Sequence, residues 1–281
     1  MRHTFLVLAI LVLAILVLAI PAGAAKRIPG GVYARHALGI DAETGEVLFA
    51  KNDRYVVPIA SITKLMTALV VRDRGADMDS VVTVTRKLRR GAGRTRLKVG
   101  EQIRMENLLH LALMVSDNFG ARELAAHAGL EREDFVAAMN ARADSLGMDE
   151  TAFVDVTGLS DDNVSTVHDV ATLLKTVTGD SLLADVMQKK RYEFNSVSGR
   201  NHVLGNTNRM VYDGRWPVRS GKTGHIGNSG YCIATWVEQG EREVIAVVLG
   251  SVNDPTRFND VRRILRRVAA RDRRLQREAG G

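Results

Sequence analysis

PVRSGKTGHIGNSGYCIATWVEQGEREVIAVVLG, residues 217–250, decides the fold. Pro217–Thr223, Tyr231–Glu238 and Glu243–Gly250 are strand-forming runs joined by tight connections, and they read as three consecutive strands. Residues 258–278 then read as a helix. Val261, Ile264, Leu265, Val268 and Leu275 share one of its faces, which predicts that it covers a sheet. Arg262, Arg263, Arg266, Arg267, Arg271, Arg273, Arg274 and Arg277 occupy the other. Near the chain start, Val32–Ile40 and Glu46–Ala50 read as two strands around the turn Asp41–Gly45. Helical spacing predicts helices from Ser61 to Val71, with Pro58 at the entrance, and over 106–114, 119–128, 134–146 and 167–177. Val81–Thr85 and Arg94–Val99 read as short strands. Strands at both ends and helices between them predict an α+β fold: an antiparallel sheet built from both chain ends, flanked by helices, with an inserted helical region.

The chain has 281 residues, 46% hydrophobic and 25% charged, with a formal net charge of +7. This suits a globular protein with one substantial domain. Residues 1–25 stand apart. Arg2 and His3 precede LVLAI repeated three times over 6–20, and Ala22-Gly23-Ala24 follows as a small-x-small cleavage pattern. That is the layout of a secretory signal peptide, leaving 26–281 as a single catalytic domain. The apolar run is shorter than the roughly 20 residues of a membrane span, although an uncleaved anchor stays open. The expected location is periplasmic or otherwise extracytoplasmic. The positive charge comes without zinc-finger spacing or a run of stacking aromatics, so nucleic acid is not an expected partner. Contact of the arginine-rich last helix with a membrane or an acidic wall polymer is left open. The single cysteine, Cys232, lies in an apolar run and reads as a small core residue.

Three short motifs carry chemistry. Ser61 and Lys64, three residues apart, share one helix face and can touch. Serine needs a base to act as a nucleophile, and burial or a nearby cation can free a lysine amine for that role. Ser116-Asp117-Asn118 lies between two helices. It is either a plain N-cap or a loop that aims a hydroxyl and an amide into a cleft. Lys222-Thr223-Gly224 lies on the first strand of the final sheet, where an extended peptide can pair with the backbone and Gly224 allows close approach. Lys222 is expected to add positive charge beside Lys64 and depress its pKa. S-x-x-K, S-D-N and K-T-G, in this order and context, are the signature set of penicillin-binding proteins and class A β-lactamases.

The chain resembles the low-molecular-mass penicillin-binding proteins, the D-alanyl-D-alanine carboxypeptidase and endopeptidase family of serine peptidases, over residues 32–268. Pro58–Ser61, Phe153–Leu159, Asn163–Thr166 and Gly205–Asn208 are similar to the family as well. The resemblance implies a β-lactamase/transpeptidase-like fold and an acyl-enzyme mechanism on peptidoglycan stem peptides, with β-lactam antibiotics as covalent inhibitors. It implies Ser61 as nucleophile, Lys64 as its base, and Ser116, Asn118 and Lys222 as the proton-relay and binding set. Thr223 contacts the substrate carboxylate, and the N–H groups of Ser61 and His225 form the oxyanion hole. It implies no metal or organic cofactor.

Carboxypeptidases of this family usually carry a further β domain and an anchor, and often an arginine soon after the strand equivalent to Val244–Gly250. Here Ser251-Val252-Asn253-Asp254 follows and the first arginine is Arg257, whose carboxylate-binding role is in doubt. These features lean toward the endopeptidase branch, with a carboxypeptidase as the alternative. A class A β-lactamase needs a glutamate in an E-x-x-L-N loop, and Glu150–Val154 lacks that pattern. A binding module that is acylated but does not turn over stays open.

Overall fold

The structure, a computed structural model, describes residues 31–279 except Arg94. The expected signal peptide at 1–25 lies outside them. In chain order the elements are β1 (His36–Asp41), β2 (Val47–Lys51), the two-residue β3 (Val57–Pro58), a 3-10 turn (Ala60–Thr63) running into α1 (Lys64–Asp73), and β4 (Val81–Thr83). The one-turn α2 (Arg86–Arg89), β5 (Gln102–Arg104), α3 (Met105–Met114), α4 (Asn118–Ala126), α5 (Arg132–Ser145) and β6 (Val164–Ser165) follow. Then come α6 (Val167–Thr178), α7 (Ser181–Gln188), the hairpin β7 (Arg191–Asn195) and β8 (Asn201–Gly205), β9 (Val218–Ile226), β10 (Gly230–Gln239), β11 (Arg242–Ser251) and α8 (Asp254–Ala279).

The main sheet has the order β2-β1-β11-β10-β9, antiparallel throughout, so the two chain ends meet at β1 and β11 as expected. Alternation along β11 feeds two cores, because successive side chains point to opposite faces. Val244, Ala246 and Val248 pack with Phe258, Val261, Ile264, Leu265 and Val268 of α8. Ile245, Val247 and Leu249 join the larger core of the helical region. Gly39 lets α8 lie close on the sheet: a Cβ there would stand 2.6 Å from Ile264 Cγ2. Cys232 is fully buried, as expected.

Several sequence expectations need correction. Of the expected strand Arg94–Val99, Arg94 lies outside the described residues and Thr95–Val99 is not a strand; β4 pairs instead with β5. The Thr95 hydroxyl and the Arg96 N–H donate to the Asp117 carboxylate rather than to a ladder. Leu275 is 42% exposed, because α8 outruns the sheet that buries its earlier turns. Its arginine face is partly neutralised by Arg262–Asp213, Arg263–Asp260 and Arg271–Glu46 pairs. Helix α7 and the β7–β8 hairpin went unread, although Asp180 caps α7 and Tyr192 and Phe194 alternate with polar residues along β7.

Candidate active site

The approach to Ser61 is held from outside its own helix. Pro58 and Val57 pair with β6, and the Ile59 N–H donates to the Asn163 carbonyl at 3.0 Å. Ala60 takes φ +49°, a left-handed conformation that costs a non-glycine residue free energy. Ser61 lies in the 3-10 turn just ahead of α1 rather than inside a regular α-helix, yet the three-residue spacing still brings it to Lys64.

Lys64 is completely buried. Its Nζ lies 2.9 Å from Ser61 Oγ, 2.6 Å from Asn118 Oδ1 and 2.6 Å from the Thr157 carbonyl. Burial lowers its pKa to about 7; the Arg122 cation pushes the same way, and the Asp155 and Asp117 carboxylates oppose it. Burial is the main cause for Lys64, and the repulsion between Lys64 and Lys222 that the sequence predicts is present as well. The repulsion between the two lysines weighs on Lys222, which burial, Lys64 and Arg257 together hold well below the usual lysine range.

Both readings of the Ser116–Asn118 tripeptide hold, for different residues. Asp117 is the N-cap of α4, accepting from the Gly120 N–H at 3.0 Å. Ser116, at φ +58°, turns its Oγ to Lys222 Nζ at 2.8 Å. Asn118 offers Oδ1 to Lys64 and donates Nδ2 to the Ala92 carbonyl at 3.1 Å, so its amide orientation is set from both ends. Lys222 Nζ also reaches the Thr223 carbonyl at 2.8 Å.

Strand β9 lies against the backbone of Ser61. A Cβ on Gly224 would stand 2.9 Å from the Ile59 carbonyl oxygen and 3.0 Å from Ser61 N. Thr223 Oγ1 is 2.7 Å from Thr207 Oγ1, which in turn donates to the Met114 carbonyl at 3.0 Å. The Gly205–Asn208 segment therefore ties β9 to the end of α3. His225 is exposed and stacks on Tyr231, with ring centroids 3.9 Å apart. All eight residues singled out from the sequence, Ser61, Lys64, Ser116, Asn118, Lys222, Thr223, Gly224 and His225, lie at the starts of α1 and α4, in the turn and loop just before them, and on β9.

Four further groups belong to the site and were not read from the sequence as parts of it. The Thr157 carbonyl completes the Lys64 shell. Asp155 shapes the loop carrying that carbonyl, accepting from the N–H groups of Thr157, Gly158 and Ser160 and from Asn163 Nδ2. Gly158 meets Ala60 so closely that a Cβ would stand 1.9 Å from its carbonyl oxygen. Arg122 donates to the carbonyls of Arg90 at 2.7 Å and Leu88 at 3.2 Å, holding the loop that contacts Asn118. Asp155, Thr157 and Gly158 lie in the Phe153–Leu159 segment that resembles the family, whereas Arg122 carried no sequence signal. Arg257 is buried, with Nη1 on the carbonyls of Gly224 at 2.9 Å and Cys232 at 3.1 Å, and it pairs with Asp254.

The model of the family described as D-alanyl-D-alanine carboxypeptidase matches residues 23–253. A D-alanyl-D-alanine endopeptidase of Pseudomonas aeruginosa is 38% identical over 82% of this chain and 75% of that protein. One of Escherichia coli is 34% identical over 81% and 74%. The D-alanyl-D-alanine carboxypeptidase DacF of Bacillus subtilis is 29% identical over 83% and 61%. The crystal structure of the Streptomyces K15 DD-transpeptidase superposes with a TM-score of 0.80 at 25% identity, covering 85% of this chain and 98% of that one. A serine beside a buried lysine of lowered pKa, a second serine on a second buried lysine, and a strand laid against the nucleophile agree with these matches: the chain belongs to the D-alanyl-D-alanine carboxypeptidase family of serine peptidases.

Proposed function

We propose that the chain is an exported D-alanyl-D-alanine endopeptidase that cuts cross-links between peptidoglycan stem peptides. The observation that carries the mechanism is Lys64 Nζ, 2.9 Å from Ser61 Oγ with a pKa lowered to about 7. At neutral pH a substantial share of Lys64 is an uncharged amine inside hydrogen-bond reach of the serine proton, which is the geometry and the pKa a general base needs. The endopeptidase assignment rests on the two relatives of that name at 34–38% identity. Export rests on the signal-peptide layout of residues 1–25.

Ser61 Oγ attacks the carbonyl carbon of the D-alanine residue while Lys64 takes its proton. The negative charge on the carbonyl oxygen is met by the N–H groups of Ser61 and His225. The Gly224 carbonyl and the His225 N–H belong to one planar trans peptide and point in opposite directions. By holding that carbonyl, Arg257 turns the N–H toward the side away from itself. The C–N bond then breaks. Ser116 delivers a proton to the leaving nitrogen and is supplied from the lysine side of the site, where Lys222 Nζ lies 2.8 Å away. Thr223 binds the substrate carboxylate, with its hydroxyl positioned by Thr207. Water cleaves the acyl-enzyme by the reverse proton path. A β-lactam acylates Ser61 in the same way and is released slowly.

The test is a digest of a monomeric pentapeptide muropeptide and a cross-linked dimer, read by mass spectrometry. Splitting of the dimer supports the endopeptidase. Loss of the terminal D-alanine alone makes the enzyme a carboxypeptidase. A stable penicillin adduct with neither product makes it a binding module.

A further inference from the structure

The loop that contacts Asn118 carries charge that the catalytic mechanism does not use. Arg86, Lys87, Arg89, Arg90, Arg96 and Lys98 all lie within thirteen positions of sequence, and all are exposed. Among the described residues none of the six side-chain cations forms an ion pair; the Glu101 and Asp117 carboxylates meet only the Lys98 and Arg96 backbone N–H groups, whereas α8 balances several of its arginines against Asp213, Asp260 and Glu46. Like charges at such density repel one another, and an unbalanced cluster costs stability.

This loop is nevertheless held in place through its backbone. Arg122 clamps the carbonyls of Leu88 and Arg90. Asp117 accepts from Thr95 Oγ1 and the Arg96 N–H. Arg89 and Arg96 spend part of their guanidinium groups on the carbonyls of Leu97 and Val203. The Ala92 carbonyl between these clamps receives Asn118 Nδ2. The cluster is therefore fixed at the edge of the catalytic centre, and Arg86, Lys87 and Arg90 have side chains free to meet a ligand. The loop holds no aromatic residue on which a base could stack.

We propose that Arg86, Lys87, Arg89, Arg90, Arg96 and Lys98 form an anion-recognition rim that binds free carboxylates of cross-linked stem peptides outside the scissile bond, so that the enzyme prefers acidic substrates to amidated ones. This inference rests on the D,D-peptidase function above and specifies its substrate class. A peptide that carries unamidated acidic residues on both sides of a cross-link brings several carboxylates to the mouth of the site, and the rim supplies complementary charge. Such contacts are solvent-exposed, each contributing little alone, and they are screened by salt.

The experiment measures binding rather than cleavage, so it stands apart from turnover. The Ser61→Ala protein is titrated by calorimetry with two cross-linked dimers that differ only in free or amidated carboxylates, at low and high salt. The expected result is about three- to thirtyfold tighter binding of the free-acid dimer at low salt, from two or three exposed charge contacts, with the difference shrinking at high salt. Adding Arg86→Gln, Lys87→Gln and Arg90→Gln to the same protein should remove most of that preference while the amidated dimer binds as before. Equal affinity for the two dimers overturns the inference, as does a preference that survives the triple substitution. Equal weakening toward both dimers assigns the loop a structural role and also overturns it. If the triple substitution instead abolishes retention on a phosphodiester wall polymer and leaves dimer preference intact, the rim docks a polymer and the proposal fails. Absence of dimer cleavage by the unsubstituted enzyme refutes the endopeptidase function without touching this measurement.

Discussion

Arg257 Nη1 donates to the Gly224 carbonyl at 2.9 Å, from beneath the strand that faces Ser61. The arginine is 6% exposed and also holds the Cys232 carbonyl, so it acts on two strands at once. Arg257→Lys keeps a cation but loses the planar guanidinium in which Nη1 holds both carbonyls while Nη2 pairs with Asp254. The expected outcome is a fall in penicillin acylation rate of about 10²-fold, the scale of losing one oxyanion donor. Stopped-flow acylation checks it, and an unchanged rate would separate Arg257 from the His225 peptide.

The pKa of Lys64, lowered to about 7 by burial, predicts the acid limb of the rate profile. Below that value kcat/KM should fall about tenfold per pH unit as the amine is protonated. Linkage sets the sign of the stability effect. The unfolded lysine has a pKa of 10.5, so between about 7 and 10.5 the unfolded chain binds more protons, and this group makes stability rise with pH across that window. The stability difference between wild type and Lys64→Met should move in favour of wild type from pH 7 to pH 10, as read by denaturant titration.

Arg122 and Asp155 act on Lys64 in opposite directions. Arg122→Gln removes a cation and should move the acid limb of acylation to higher pH. It should also slow the reaction by releasing the loop that orients Asn118. Asp155→Asn removes an anion and should move the limb to lower pH, with a loss of stability because Asp155 accepts several donors from its own loop. Measuring both profiles under one set of conditions checks the pair; shifts in the same direction would refute this electrostatic account.

Gly158→Ala places a Cβ 1.9 Å from the Ala60 carbonyl oxygen, at a backbone φ of +76°. Two penalties combine, the left-handed conformation and the clash with backbone that cannot swing aside. The expected loss is about 3 kcal/mol or more of stability, with acylation slowed because Ala60 adjoins Ser61. Thermal unfolding and penicillin labelling of the soluble fraction test it. Gly199→Ala, in a turn with open space around it at φ +84°, carries only the conformational penalty and should cost less.

Much of the fold was legible because its signals are local. Strand runs 218–226, 230–239 and 242–251 and the helical spacing of α1, α3, α4, α5 and α6 are close to the sequence reading. The reading failed where long-range polar partners replaced a ladder, as at Thr95 and Arg96 on Asp117. It also failed where the length of the sheet left Leu275 without a surface to cover. Helix α7 and the β7–β8 hairpin follow the same local periodicities, with Asp180 as a cap and Tyr192 and Phe194 in alternation, but lie outside the elements expected from sequence.

The antiparallel sheet from both chain ends and the contact of Ser61 with Lys64 were readable from local pattern alone, because alternation and a three-residue spacing act within a few residues. Three motifs in order also singled out Ser61, Lys64, Ser116, Asn118, Lys222, Thr223 and Gly224, the side chains and backbone to which the proposed reaction is assigned. Lys64, by contrast, owes its depressed pKa to the packed tertiary structure. Its three polar neighbours come from Ser61, Asn118 and Thr157, and its lowered pKa comes from burial under segments distant in sequence. The same holds for Arg257 on Gly224 and Arg122 on the basic loop. Desolvation and contacts across long sequence separations arise from packing, and no local pattern of residues encodes them.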